Sequence, residues 1–380
     1  MIDVERKFKV GIFVDSIGAF GRGVTRGILA YQRYRRWEIS MVRTWMFQPT
    51  TYLDQWVGDG LIAMIPGPET TAAINLLGRP VVCVSSLLPE LNPVSVLPDD
   101  HAIGAMVARH FIDRGFRSFG FIGHITTDMV PSFIADRERG FAEAVAAAGF
   151  VSRSALRLDE LPALLRSLSL PAALFAANDE VGIRAIEIAE GIGLRAPEQI
   201  SVIGVDDDDL LVDSIDVSLS SVAIPTFKIG FEAASLLDKI LRGQTPESTL
   251  IKLPPLGITT RKSSDLSAIP DPEVTAALAF IRRNAAEAID VSAVVANVAV
   301  SRRVLERRFQ RYLQRSVLGE IQRVRIERAK NLLIDTDLPI SEVIKASGFP
   351  SRSRFHAAFA KWTGSTPKSF RQLRRDNKDQ

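Results

Sequence analysis

A chain of 380 residues is too long for one ordinary hydrophobic core, so its length predicts two or three domains. Apolar residues make up 46% of the sequence and charged residues 24%, which excludes a disordered or a fibrous protein. The single cysteine, Cys83, excludes an intramolecular disulfide framework and a cysteine-rich metal cluster, and it indicates a reducing compartment.

The chain shows neither a secretory leader nor an apolar run of the ~20 residues that span a bilayer, so we expect a cytoplasmic protein without membrane contact. Charged residues are distributed unevenly between the two ends of the chain. Residues 271–380 carry 21 Lys and Arg against 12 Asp and Glu, whereas residues 1–270 carry 26 against 32. A basic C-terminal third suggests a polyanionic partner such as nucleic acid, although charge of this kind more often marks a solvated surface.

The first 260 residues alternate short apolar runs with amphipathic stretches. Predicted strands cover 10–14, 60–65, 80–85, 119–123, 172–176 and 200–205, and predicted helices cover 23–34, 101–114, 137–148, 180–190 and 228–241. Continuous apolar strands separated by helices are typical of βαβ units and of parallel sheets buried on both faces. We therefore predict an α/β domain over residues 1–260.

Ligands of a parallel α/β sheet bind beyond the carboxyl ends of its strands. Carboxylates, amides and guanidinium groups hydrogen-bond to vicinal sugar hydroxyls, and an aromatic face covers the ring. The residues of these types at strand ends and helix starts form the candidate ligand set: Asp15, Phe20, Trp45, His124, Arg137, Asn178 and Asp206.

Each of these residues also has a purely structural interpretation. Asn178 would cap the next helix, Arg137 would pair with a neighbouring carboxylate, and the run Asp206 to Asp209 would form a solvated loop. Gly21, Gly23 and Gly27 nearly match a dinucleotide fingerprint, but the last spacing is one residue too long, so no cofactor is predicted.

Residues 261–272 are polar and proline-punctuated, which predicts a linker. Helical periodicity continues from 273 to about 374 in two similar halves, and it predicts an all-α domain over 273–380. The predicted helices are 291–300, 301–313, 318–334, 340–347 and 351–363, and serines at positions 301, 341 and 351 are the predicted N-caps.

The second helix of each half presents polar side chains outward. Leu305, Phe309 and Tyr312 face inward in the first half, and Phe355, Phe359 and Trp362 face inward in the second. A helix of this kind suits the major groove, where arginine reads guanine. The candidate DNA-binding residues are Ser301, Arg302, Arg303, Glu306, Arg307, Ser351, Arg352, Ser353, Arg354 and His356. On the connecting helix, Arg323, Arg325, Arg328 and Lys330 either touch phosphate or form a solvated face.

The runs 301–309, 325–333, 340–349 and 355–371 resemble, in order and spacing, the AraC/XylS family of transcriptional regulators. The resemblance implies a double helix-turn-helix domain. Its base-reading positions would fall on Arg303, Glu306 and Arg307 in the first half and on Arg352, Ser353 and Arg354 in the second. Ala357 departs from the family pattern, because relatives often carry a longer polar or basic residue there.

The runs 137–141, 176–179, 197–207, 219–222 and 229–234 resemble the effector domain of LacI/GalR repressors. This implies a two-lobed, periplasmic-binding-protein-like domain in which Arg137, Asn178 and Asp206 contact a sugar. The joined domains, with the runs 20–24 and 253–257, resemble bacterial xylose regulators. The residues Ile134-Ala135 and Ser16-Ile17-Gly18 are unlike the expected pattern, so the identity of the sugar does not carry over.

We therefore expect a DNA-binding transcription regulator controlled by a small sugar, such as the pentose xylose. It would act as a homodimer on double-stranded DNA, associated with the nucleoid, and with RNA polymerase if it is an activator. The alternative is a regulator with a non-sugar ligand or none, whose α/β body serves for dimerisation. No catalytic residue, cofactor or metal is predicted, because Walker, zinc and nucleophile-elbow motifs are missing from the sequence and its four histidines lack metal spacing.

Overall fold

The computed structural model describes residues 7–378, apart from 36, 42–52, 54–55, 66–67, 87–93, 125–129, 266–270, 288, 314 and 337. Two α/β lobes form the N-terminal part of the chain, and a helical domain follows them. This is the predicted architecture of a periplasmic-binding-protein-like domain joined to an all-α domain.

The first lobe is built on a parallel sheet with the strand order β11-β5-β4-β3-β1-β2. Apolar strands buried in the middle of a sheet explain why β1, β3 and β4 were predicted from their sequence. The elements of this lobe are β1 (Phe8–Phe13), α1 (Ala19–Gln32), β2 (Trp37–Met41), β3 (Gly60–Ile65), α2 (Pro68–Leu76), β4 (Val81–Ser86), β5 (Ser95–Pro98), α8 (Thr226–Leu241) and β11 (Leu250–Leu253).

The second lobe has the strand order β12-β10-β9-β8-β6-β7, and β12 alone among its described strands runs antiparallel. All residues of β8 and β9 are buried, as their continuous apolar sequences predicted. The elements are α3 (Asp100–Asp113), β6 (Phe119–Ile122), α4 (Ser132–Ala147), β7 (Ser152–Ala155), α5 (Leu161–Ser167), β8 (Ala172–Ala176), α6 (Asp179–Gly191), β9 (Ile200–Val205), α7 (Asp209–Val212), β10 (Ser220–Ala223) and β12 (Gly257–Thr259).

Close helix packing within each lobe depends on glycine. A Cβ atom at Gly104 of α3 would lie 2.0 Å from the carbonyl oxygen of Arg137, and one at Gly140 of α4 would lie 2.0 Å from that of His101. Any side chain at these positions would push α3 and α4 apart. Gly27 plays the same part between α1 and α8, which accounts for one glycine of the near dinucleotide motif without a nucleotide.

The C-terminal domain consists of two helical halves joined by a long helix, as predicted. Leu305 and Phe309 lie in the core of the first half, and Phe355 and Phe359 lie in that of the second. The helices are α9 (Pro272–Asn284), α10 (Val291–Val295), α11 (Arg302–Leu313), α12 (Val317–Asp335), α13 (Ile340–Ala346), α14 (Arg352–Thr363) and α15 (Pro367–Lys378).

Three details of this domain differ from the sequence prediction, and the first is that the helix predicted over 291–300 ends at Val295. Trp362 was predicted to face inward but is 38% exposed, because Phe370 of α15 packs against Phe359 in that core, with ring centroids 5.5 Å apart. Helix α13 begins at Ile340 with Pro339 at its N-cap, so Ser341 is not the cap.

The beginning of the predicted linker belongs structurally to the second lobe. Ser263 is fully buried, its hydroxyl donates to the carbonyl oxygen of Val202, and the same hydroxyl accepts from the backbone N–H of Ser220. These bonds fix residues 261–265 against β9 and β10. Asp271 then accepts hydrogen bonds from the first turn of α9, where the helical domain starts.

Candidate ligand cavity and DNA-binding surface

A cavity of about 270 Å³ opens between the two lobes. The first lobe supplies mostly apolar walls, including Phe20 of α1 and Met64 of β3. The second lobe supplies most of the polar groups, at the start of α3, along α4, and after the carboxyl ends of β8 and β9, and the first lobe adds Lys252 of β11. The lining residues are Phe20, Met64, Leu97, Pro98, Asp100, Ser132, Phe133, Asp136, Arg137, Asn178, Asp206, Leu250 and Lys252.

Arg137 is the polar centre of the cavity wall. Its side chain is buried, and its Nε donates to Oδ1 of Asp100 at 2.8 Å. Its Nη1 donates to the carbonyl oxygen of Ala177, and the guanidinium carbon lies 5.1 Å from the centroid of the Phe133 ring. Burial raises the pKa of Asp100, and the adjacent Arg137 charge only partly offsets that increase. The guanidinium is thus held rigidly by the protein at the cavity.

Asn178 and Asp206 each direct polar atoms to the same cavity. The side-chain oxygen of Asn178 accepts from the backbone N–H of Val181 at 2.9 Å and caps α6. Its amide NH₂ forms no hydrogen bond within the described part of the chain. The carboxylate of Asp206 likewise accepts no hydrogen bond from the residues that the structure describes. A donor and an acceptor therefore remain available to a ligand.

Asp206 lies in an unusual environment. Burial raises its pKa to about 6, against the opposing effect of Arg137, and the charges of Asp100 and Asp208 add to the increase. Burial and the nearby Asp206 also raise the pKa of Asp179 well above its usual range. Asp206 and Asp207 adopt φ values of 114° and 55°, which non-glycine residues rarely adopt. Strain of this kind concentrates at functional sites.

The structure brings together four of the candidate ligand residues: Phe20, Arg137, Asn178 and Asp206. Asp15 and His124 are exposed and do not line the cavity; Asp15 instead accepts a hydrogen bond from Ile17 two residues later. Trp45 lies outside the described residues. The structural interpretations also apply, since Asn178 does cap a helix and Arg137 does pair with a carboxylate.

Sequence reasoning missed several lining residues. Asp100 directly precedes the helix predicted over 101–114, and nothing near it in the sequence indicates that it pairs with Arg137. Lys252 lies on β11, a strand that was not predicted, and forms a 3.8 Å ion pair with Asp136. Phe133 precedes the predicted start of α4. The sequence does contain one signal for the observed start of α4, because Pro131 and Ser132 are typical of the beginning of a helix.

The two lobes are also joined by an ion pair. Arg22 of α1 donates through Nη2 to both carboxylate oxygens of Asp208, at 3.0 and 3.1 Å, and Asp208 is buried. The backbone N–H of Ala19 donates to the same carboxylate. This contact joins the first lobe to the loop after β9 and therefore resists separation of the lobes.

The first turns of α11 and α14 present a basic surface. Ser351 caps α14 through the backbone N–H of Arg354. Within the described chain, none of the arginines on this surface forms an ion pair, so their donors are available. The exposed candidates are Ser301, Arg302, Arg303, Arg307, Ser351, Arg352, Ser353 and Arg354.

Glu306 and His356 are less available than the sequence predicted. Glu306 is half-buried and accepts from the backbone N–H of Val317 at 3.1 Å, which stabilises the start of α12. His356 is half-buried against the Phe355 ring, with centroids 5.5 Å apart. Glu306 therefore has a structural partner within the domain, whereas the buried Nε2 of His356 has no hydrogen-bond partner among the described residues.

The basic residues of α12 mostly contact protein. Arg325 donates to the carbonyl oxygens of Ala285, Glu287 and Ile289, and Lys330 pairs with Glu327. These side chains are buried, so they form neither a row of phosphate contacts nor a solvated face. Only Arg328 is exposed, and its Nε donates to the carbonyl oxygen of Ala346.

Comparison with known proteins finds two domain matches in the chain. A periplasmic binding protein-like domain matches residues 108–264, and a helix-turn-helix domain matches residues 294–373. The xylose operon regulatory protein of Haemophilus influenzae is 28% identical over 97% of this chain and 99% of its own length. Its namesake in Escherichia coli K12 is 26% identical over 97% of this chain and 98% of its own length.

A solved structure of a xylose-binding transcription activator is 26% identical, with a TM-score of 0.61, and covers 97% of this chain and 99% of that one. The match extends through both domains. The chain is a transcription regulator of this two-domain type. A cellobiose complex of another regulator is 23% identical over 67% of this chain, with a TM-score of 0.56, and shares the fold of the α/β part.

In this regulator the helix-turn-helix domain contacts both lobes. Arg315 donates to the carbonyl oxygen of Asp113 at 2.7 Å, and Arg117 donates to that of Tyr312 at 3.2 Å. Helix α15 lies against α8 of the first lobe. A change in the angle between the lobes would therefore act on the DNA-binding domain.

Among the described residues, no helix has the length and apolar character needed to cross a membrane.

Proposed function

We propose that the regulator binds a pentose such as xylose in the interlobe cavity and that this sugar controls its binding to specific DNA sites. The observation that carries the proposal is the convergence of Arg137, Asn178 and Asp206 with Phe20 and Phe133 on one cavity. The relatives that match nearly the whole chain are named for xylose, which supports this choice of sugar.

In the proposed complex, the Asp206 carboxylate accepts hydrogen bonds from sugar hydroxyls, while the Asn178 amide donates to them. Arg137 supplies charge-assisted donors, and Phe20 covers an apolar face of the ring. Because the sugar touches both lobes, it binds the closed arrangement more tightly than an open one. It therefore shifts the lobes toward closure by that difference in affinity.

The DNA-binding surface complements this effector domain. Arg303 and Arg307 on α11, and Arg352 and Arg354 on α14, would contact base edges in two successive major grooves. Helix α12, about 28 Å long at 1.5 Å per residue, would separate the two reading helices. The regulator would work in the cytoplasm as a homodimer without catalytic activity, and it would contact RNA polymerase if it activates transcription.

Titration calorimetry of the full chain against pentoses, hexoses and sugar acids tests the sugar assignment. We expect one pentose to bind, and at a free concentration of 100 times Kd to stabilise the fold by about 2.7 kcal/mol. The same sugar should change the affinity for operator DNA. If no sugar binds, the α/β body has a different ligand or serves only for dimerisation.

Sugar affinity is expected to fall as the pH is lowered through 6. The ionised form of Asp206 accepts sugar hydroxyls, and burial has raised its pKa to about 6 in the free protein. At pH 5 roughly one-tenth of the protein would have this group ionised, so Kd should be about tenfold weaker than at pH 7. Calorimetry at both values measures the change.

The control is Asp206→Asn, which is expected to bind the sugar weakly and with the same Kd at both pH values. A wild-type Kd that stays constant between pH 5 and 7 would show that Asp206 does not bind the sugar as a carboxylate.

A further inference from the structure

A second cavity, of about 320 Å³, lies between the effector domain and the helix-turn-helix domain. It shares no lining residue with the interlobe cavity. The effector domain contributes Arg114, Thr260 and Asp265. The helical domain contributes Arg282 of α9 together with Arg323, Val324, Glu327, Arg328 and Leu332 of α12. An occupant of this cavity would touch both domains.

Two buried polar atoms in its wall have no hydrogen-bond partner among the described residues, although Nη1 of Arg114 donates to the carbonyl oxygen of His110 at 3.3 Å. Arg114 is 5% exposed, and its Nε forms no hydrogen bond within the described structure. The hydroxyl of Thr260 is also buried and unpartnered among the described residues. Buried polar groups are nearly always hydrogen-bonded, and leaving one unsatisfied costs about 1–3 kcal/mol. Both groups can donate, so the missing partner is an acceptor.

The cavity wall is also rich in positive charge. Four arginines face two acidic residues, Asp265 and Glu327. Glu320 of α12 does not line the cavity. It is paired with Arg323, which donates to both of its carboxylate oxygens at 2.9 and 2.6 Å. Burial, with the adjacent charge of Arg323, lowers the pKa of Arg114 to about 9. Arg114 is therefore still a cation at neutral pH, but among the described residues it has no ion-pair partner comparable to Asp100 at Arg137.

We propose that this interdomain cavity binds a small oxyanion, either phosphate or a phosphorylated metabolite, through Arg114 and Thr260. An oxyanion presents several acceptor oxygens and satisfies a guanidinium better than water does. A volume of 320 Å³ accommodates a phosphoryl group with a small organic part. Because both domains form the wall, the anion would stabilise the contact between them and so change the affinity for operator DNA. Operator binding would then change the affinity for the anion by the same factor.

The test uses the full chain, with inorganic phosphate and ribose 5-phosphate as probes and chloride as reference at constant ionic strength. Calorimetry should show saturable binding of at least one probe. Arg114→Met removes the charge but retains the length, and it should weaken binding at least tenfold. The matched control is Arg109→Met, an exposed arginine on α3, the helix that Arg114 caps, and because Arg109 does not line the cavity this variant should bind like the wild type.

Equal affinity for the two probes would identify phosphate itself as the ligand, whereas tighter binding of ribose 5-phosphate would identify a phosphorylated metabolite. Thr260→Val provides a second, nearly isosteric variant should Arg114→Met fail to fold, and it should weaken binding several-fold without lowering the melting temperature of the free protein. If neither probe binds beyond the chloride reference, or if the folded variants bind as tightly as the wild type, the proposal is wrong.

Discussion

Arg137→Met should abolish detectable sugar binding and lower the free energy of unfolding by about 3 kcal/mol. The first effect follows from the position of the guanidinium in the interlobe cavity. The second follows because Asp100 would remain buried without its ion-pair partner. Burial already raises the pKa of Asp100, so it would take up a proton and limit the loss to the lower end of the usual 3–5 kcal/mol.

Calorimetry with the sugar and urea unfolding measure these two effects separately. The double variant Arg137→Met with Asp100→Asn removes the orphaned carboxylate, so it should recover most of the lost stability but none of the affinity. Arg184→Met, on the exposed face of α6, controls for the loss of an arginine. Sugar affinity within twofold of the wild type in the single variant would place the ligand elsewhere.

Arg307→Ala and Arg354→Ala should each weaken binding to the cognate operator by about 1–3 kcal/mol, or roughly 5- to 150-fold. Both side chains are exposed within the first two turns of the two reading helices, and neither is engaged in an ion pair within the described chain. Fluorescence anisotropy at fixed salt concentration measures the affinity. Arg166→Ala, exposed on the effector domain, has the same charge change and should bind normally.

A panel of operators with single base changes distinguishes base contacts from phosphate contacts. Loss of a base contact relaxes discrimination at one position of the site. Loss of a phosphate contact weakens binding evenly across sequences and reduces the salt slope by about 1. Unchanged affinity for the cognate site would exclude either contact.

Ala357 stands where the first half carries Arg307, so we expect the second half to read fewer bases.

The sequence alone determined the order of domains and most of their elements. Strands β8 and β9 are buried on both faces, and that burial is written in their unbroken apolar runs. The 3.6-residue spacing of Leu305 and Phe309 likewise fixed which side of α11 meets the core. The cap at Ser351 was readable because capping is a local interaction between residues three apart.

Only the tertiary structure decided which polar residues meet. Asp100 and Arg137 are 37 residues apart, and they pair because Gly104 and Gly140 let two helices approach closely. Asp15 ends a strand as Asn178 does, yet it lies outside the cavity. The hydrogen bond that Glu306 accepts from the start of α12 likewise depends on how α11 and α12 cross. Periodicity and capping act between neighbours along the chain, whereas a cavity is formed by distant segments, so the sequence determined the elements and packing determined the sites.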